Sequence, residues 1–275
     1  MNKVIVKKKV GQLKEMKAVE EELSLPSSPS KPSDRMLDYS VLVYGEKKIG
    51  KTSMFAYSEG SFFMMFEPGG KALSIYQRPV PSWESFKKYV SLVLKSKQFK
   101  TVVIDTAEYS YKACLDHVCK RLGIEHPSEE DWGKGWQAVK DEYTKEINRL
   151  LHSGLGVVFL SHYVEKEVKK RDGTMYHHTE PSLPGQAKEV LEGLVDIWAF
   201  YTYDHDKRIL VIQGDDHIGA GHRVETRFRY ADGTSIRSIE MGDSPKEAYG
   251  NFVKAFENKL VQPMVKKVLT IKRKE

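Results

Sequence analysis

The residues Gly45 to Thr52 read Gly-Glu-Lys-Lys-Ile-Gly-Lys-Thr and satisfy every fixed position of the phosphate-loop pattern GxxxxGK[ST]. An apolar run, Val41-Leu42-Val43-Tyr44, comes before them, and the spacing predicts a helix over Ser53 to Ser58 after them. Strand, glycine-rich loop and helix in that order is the context in which the motif holds phosphate. The glycines let successive backbone N–H groups turn inward, and the positive end of the helix dipole adds to them. Gly45, Glu46, Lys47, Lys48, Ile49, Gly50, Lys51, Thr52 and Ser53 are therefore expected to form a polyphosphate cradle. Lys51 is placed to reach the β- and γ-phosphates, and Thr52 to ligate Mg²⁺.

At 275 residues the chain can bury one substantial core and a small appendage, but hardly two full domains. Lys and Arg exceed Asp and Glu by six, a balance that favours an acidic partner, with nucleic acid the leading candidate. The two cysteines are Cys114 and Cys119. On one helix they would lie roughly 7.5 Å apart along the axis, too far for a disulfide. A reducing, cytoplasmic setting is the expectation. No apolar run approaches the roughly 20 residues of a membrane span, so no membrane association is expected.

Residues 1–38 differ in composition from the rest of the chain and read as an N-terminal extension. Val4-Ile5-Val6 leads into Lys7-Lys8-Lys9, and a mixed-charge stretch then gives way to a linker carrying Pro26, Pro29 and Pro32. The first part reads as a disordered leader, with a strand added to a neighbouring subunit's sheet or a basic arm on DNA as the alternatives. Residues 39–262 form the expected folded domain, and residues 263–275 a basic tail.

In the folded part, short apolar runs alternate with segments of helical period, as in an α/β domain with a largely parallel sheet. Phe62 to Phe66 is a second strand ending at Glu67, and Val102 to Ile104 a third ending at Asp105. Asp105 there matches the second nucleotide-binding signature, a carboxylate in the Mg²⁺ shell. Ser82 caps a helix carrying Phe86, Val90, Val93 and Leu94; Tyr109 to Leu122 and a stretch from about Trp132 are further helices, with Trp132 and Trp136 assigned to the core. Leu155 to Leu160 is a strand closing on Ser161-His162, which places His162 at the carboxyl edge, where it could sense the γ-phosphate.

Val164 to Lys170 and Thr174 to Thr179 flank an Asp172-Gly173 turn and predict a hairpin. Lys166, Lys169, Lys170, Arg171, Tyr176 and His177 there suit single-stranded DNA, with cations for phosphates and rings for bases. A merely solvated charged hairpin is the alternative. Gln186 to Leu194 is a helix, and Ile197 to Tyr201, Arg208 to Ile212 and Val224 to Tyr230 form an antiparallel meander. Asp215, Asp216, His217 and His222 are read as loop residues rather than a metal site. Ser244-Pro245-Lys246-Glu247 is a capping box opening a helix with Tyr249, Phe252, Phe256 and Leu260 on one side.

The ordered set of Gly45 to Thr52, Glu67, Asp105, Ser161-His162 and Leu183-Pro184-Gly185 resembles the RecA-like P-loop ATPases of bacteriophages, in particular the single-strand annealing type with a recombinase core, over about residues 38–260. The resemblance implies a RecA-like α/β fold with antiparallel late strands. It makes Glu67 the general base that activates the attacking water, with Lys51 and His162 as its catalytic companions and Thr52 and Asp105 as the metal residues. It implies ATP and Mg²⁺ as cofactors and a ring or filament of subunits, each completing its neighbour's site with a cation, for which Lys207 and Arg208 are the candidates.

The expected function is an ATP-binding and hydrolysing, DNA-stimulated protein that promotes annealing or strand pairing in recombination, acting as a phage protein in the host cytoplasm and beside a single-strand-binding protein. The runner-up is an ATPase acting on a protein partner, such as a helicase loader or nucleotide switch. A module that holds ATP without hydrolysing it is the third.

Overall fold

A computed structural model describes residues 25–262. The α/β fold belongs to the compact unit that begins at Ser33. The Val4-Ile5-Val6 and Lys7 to Lys9 readings and the basic tail lie outside the described residues. The domain begins before the expected residue 39, since Met36 and Leu37 in a short 3-10 turn are buried in its core.

Six strands form the parallel centre: β1 (Val41–Gly45), β2 (Ser61–Met65), β3 (Tyr76–Pro79), β4 (Thr101–Asp105), the first part of β5 (Gly156–Lys169) and β7 (Ile197–Asp204). Their order is β7-β1-β5-β4-β2-β3, so β5 separates the phosphate-loop strand from the strand ending in Asp105. Every residue of β1, β2 and β4 is buried. The reason lies in the strand period: Val41 and Val43 join one apolar cluster, while Leu42 and Tyr44 join the other. Unbroken apolar runs are what a sheet covered on both faces requires.

Helices α2 (Trp83–Lys95), α3 (Ala107–Leu122), α4 (Lys134–Leu151) and α5 (Gly185–Leu194) cover one face. The other is covered by α1 (Lys51–Phe55) and α6 (Pro245–Phe256) through Met54, Phe55, Phe252 and Phe256. Ser82 accepts from the Ser85 amide as the expected cap of α2. Ser244 caps α6 through the Glu247 amide at 3.2 Å, but Glu247 reaches back to the Asp243 amide rather than to Ser244. This is the mostly parallel α/β arrangement of a P-loop NTPase, and the late strands β8 (Lys207–Val211), β9 (Gly221–His222) and β10 (Ser238–Glu240) add to it antiparallel.

Four further expectations are corrected. The helix after the loop spans Lys51–Phe55, not Ser53 to Ser58, because a turn closed by Gly60 follows at once. Val224 to Tyr230 is not a strand. Its backbone is taken up by local turns and by Asn258, whose side chain accepts from the Arg229 amide and donates to the Thr226 carbonyl. Val224 and Phe228 are buried anchors of those turns, and their spacing imitates a strand's alternation. Trp132 is not in the core; it is 96% exposed and has a positive φ of 59°. Finally, β5 does not end at Leu160 but runs unbroken into the hairpin, pairing with β1 as far as His162 and with β6 (Met175–Pro181) from Tyr163 onward.

Candidate functional site

The register of the sheet fixes which side chains meet. Met65, Asp105, Leu160, Val43 and Ala199 lie in one row across β2, β4, β5, β1 and β7. Two residues further along, Glu67 on the β2 side, His162 on β5 and Gly45 on β1 emerge together at the carboxyl edge. The Phe66 amide donates to the Asp105 carbonyl at 2.7 Å, tying the segment before Glu67 to β4.

Two glycines shape the phosphate loop for different reasons. At Gly45 a Cβ would lie 2.0 Å from the Tyr201 carbonyl oxygen, so β7 admits no side chain there. Gly50 has open space around it but a φ of +110°, which side-chain-bearing residues rarely adopt. Between them Ile49 is buried and pins the loop to the core, whereas Lys47 and Lys48 point out.

Lys51 is only 7% exposed, and its Nζ donates to the Gly45 carbonyl at 2.8 Å and the Glu46 carbonyl at 2.7 Å. Burial lowers its pKa to about 8, opposed by the carboxylates of Asp105, Glu108, Glu67 and Glu46. Thr52 Oγ1 donates to Asp105 Oδ2 at 2.7 Å, which joins the two sequence signatures in one contact. Burial pushes the Asp105 carboxyl up, while Thr52 and Lys51 pull it down.

The donor set fits Mg²⁺. Thr52 and Asp105 offer hard oxygens and leave most of a six-coordinate shell to phosphate and water. Four carboxylates around one buried lysine also make the pocket short of positive charge before a polyphosphate enters.

Glu67 lies with its Oε1 3.9 Å from His162 Nε2, and burial raises its pKa. The opposite ring nitrogen, Nδ1, is 2.6 Å from Glu108 Oε1. In sequence Glu108 has the look of a first-turn helix acid and stands out only as a substitute base should Glu67 fail. Its contact with His162 spans 54 positions of chain and leaves no local signal. The spacing Asp105-x-x-Glu108, which puts a carboxylate in the first turn of α3, is the one clue the sequence holds.

The hairpin forms where expected, with Lys169 opposite Met175 and Tyr163 opposite Pro181. Its cations are not equivalent. Lys166 is ion-paired with the buried carboxylate of Glu180, which also takes Lys188 from α5. Lys170 pairs with Asp216 at 2.9 Å and lies 5.0 Å over the Tyr176 ring. Tyr176 in turn meets the His217 ring edge-on, and His217 bonds the His177 carbonyl. Lys169 and Arg171 are exposed, with no carboxylate partner among the described residues. Glu165, Glu167, Asp172 and Glu180 balance the hairpin's four cations in number.

Lys207 and Arg208 sit at the end of the β7–β8 hairpin and are engaged within their own chain. Lys207 pairs with Glu240 at 2.9 Å, and Arg208 donates to the Asp243 carbonyl at 3.0 Å and lies over Tyr203. Cys114 and Cys119 are both free and buried in α3. Among the described residues no helix is long and apolar enough to cross a membrane.

Residues 37–224, well over half of the chain, match the model of a family described as an AAA domain. The SPbeta prophage-derived uncharacterized protein YorG of Bacillus subtilis (strain 168) is 25% identical over 205 residues, 70% of this chain and 60% of that protein. The chain thus spans less than two thirds of that relative's length.

Proposed function

Since the chain belongs to the AAA domain family and so carries a P-loop ATPase core, we propose that it is a Mg²⁺-dependent ATPase that acts on single-stranded DNA, promoting annealing or strand pairing in recombination. The observation that carries the ATPase part is the 2.7 Å hydrogen bond between Thr52 and Asp105, with Lys51 buried beside it and Glu67 across from His162. In this reading Lys51 holds the phosphates, and Thr52 and Asp105 would hold the metal, which when bound neutralises charge on the phosphates. Glu67 orients and deprotonates a water in line with the γ-phosphate.

The DNA part rests on the hairpin that continues directly from His162. Lys169 and Arg171 at its tip, with the exposed His177, are the groups free to meet a strand's phosphates and bases. Lys166, Lys170 and Tyr176 support them from intramolecular contacts. In a ring or filament, Lys207 or Arg208 would reach a neighbour's nucleotide after leaving its present partner. The prophage origin of a relative accords with a phage protein; in this reading it works beside a single-strand-binding protein in the host cytoplasm.

One observation favours the second reading, an ATPase directed at a protein partner. The hairpin's four carboxylates offset its cations, so its long-range attraction for DNA is modest. ATP turnover measured with and without single-stranded DNA, alongside anisotropy binding of the same DNA with and without ATP, tests the proposal. Stimulated turnover and saturable binding support it. Turnover indifferent to DNA, with no binding at low salt, leaves the protein-directed ATPase.

A further inference from the structure

Glu108 is the second residue of α3, three positions after Asp105, and its side chain is 13% exposed. Both hydrogen bonds to its Oε1 come from one residue: His162 gives its ring Nδ1 at 2.6 Å and its backbone amide at 3.2 Å. Its other oxygen, Oε2, is buried without a partner among the described residues. The first turn of a 16-residue helix favours a negative charge there.

An ionised carboxylate only accepts hydrogen bonds, so the proton of the neutral ring belongs on Nδ1. The ring then presents Nε2 to Glu67, 3.9 Å away. Rotating His162 would break a charge-assisted bond, and shifting β5 there would break the amide contact to the same oxygen.

We infer that Glu108 is a positioning residue: from α3 it fixes the tautomer and orientation of His162, so that the ring turns Nε2, as a hydrogen-bond acceptor, toward Glu67 and the phosphate loop. It does not serve as a second base, because Oε1 is occupied twice and Oε2 has no surface from which to activate a water. The effect on turnover rests on the proposed ATPase activity; the effect on the ring does not.

The test is long-range ¹H–¹⁵N correlation on histidine-labelled protein at a pH where the ring is neutral, with His162 assigned from the His162→Ala spectrum. The parent should show the Nδ1–H form, Glu108→Gln should keep it through its amide oxygen, and Glu108→Ala should lose it. In turnover, Glu108→Ala should lower kcat about tenfold or more with nucleotide affinity within about twofold. Glu108→Gln should recover most of that loss, and adding Glu108→Ala to His162→Ala should cost nothing further.

An Nε2–H parent, or losses that multiply in the double variant, would overturn the inference. So would a Glu108→Gln protein as inactive as Glu67→Gln with its His162 tautomer intact, since that marks a base. If Glu108→Ala does not fold, the parent and Glu108→Gln spectra decide. If the parent hydrolyses no nucleoside triphosphate, the ATPase reading fails while the ring spectra still judge the positioning role.

Discussion

The Tyr44 hydroxyl, at the end of the phosphate-loop strand, lies 3.0 Å from the Thr179 carbonyl at the base of the hairpin and 2.8 Å from the Gly219 carbonyl in the loop beside it. It links the phosphate loop to the hairpin through one side chain, because Gly45 comes directly after Tyr44. Tyr44→Phe keeps the packing against Phe200 and removes the donor. We expect a stability loss of about 1–2 kcal/mol in urea denaturation, and turnover that no longer responds to DNA. An unchanged response would show that this hydroxyl does not carry the coupling.

On the proposed reading, Lys51→Ala removes the charge that would stabilise the transferring phosphoryl group. Turnover should fall by about a hundredfold or more, while the thermal midpoint of the nucleotide-free protein holds or rises, because the buried ammonium is disfavoured there. Normal turnover in the folded variant would remove the ATPase reading.

Proton uptake should accompany nucleotide binding. With its pKa lowered to about 8, Lys51 is partly neutral at pH 8 in the nucleotide-free protein, and polyphosphate restores the charge. About half a proton should be taken up per nucleotide at pH 8, falling toward none near pH 6.5, where Lys51 is already protonated. Stability follows the same sign: the cost of the buried charge is full below pH 8 and relieved as the pH rises toward the unfolded value. Calorimetry in buffers of different ionisation enthalpy reads the uptake, and a buffer-independent heat at pH 8 would contradict it.

Glu67→Gln and Asp105→Asn should separate chemistry from metal binding. The first keeps its shape and loses the proposed base, so ATP should still bind with Mg²⁺ and turn over about a hundredfold more slowly or worse. The second breaks the partner of Thr52 and should raise the Mg²⁺ concentration needed for half-maximal turnover. Parent-like rates in Glu67→Gln would move the base elsewhere.

Replacing Lys169 and Arg171 together with alanine should weaken single-stranded DNA binding and flatten its salt slope by about 1.4, the value for two phosphate contacts on a single strand. Lys166→Ala should act mainly on stability, because its ammonium partners buried Glu180. A double variant with unchanged affinity and slope would make the hairpin a solvated face and favour the protein-directed ATPase.

Much of this was legible in the chain itself. The phosphate loop is a contiguous motif whose glycine requirements are local, and the runs around Val43, Phe63 and Val103 are apolar at every position because both faces of the sheet are covered. Glu67 and Asp105 could be picked out as strand-end polar residues for the same reason, and His162 as the polar residue that follows an apolar run. Tertiary structure decided what lies between elements. The parallel register sets Met65 beside Asp105 and Asp105 beside Leu160, and two residues later that alignment brings Glu67 to His162. Strand pairing is set by backbone bonds between distant segments, which no local pattern encodes. The same holds for Glu108 against His162, for Tyr44 against Thr179, and for the pairing of Lys166 with Glu180: a side chain's type is written in the sequence, but its partner is chosen by packing.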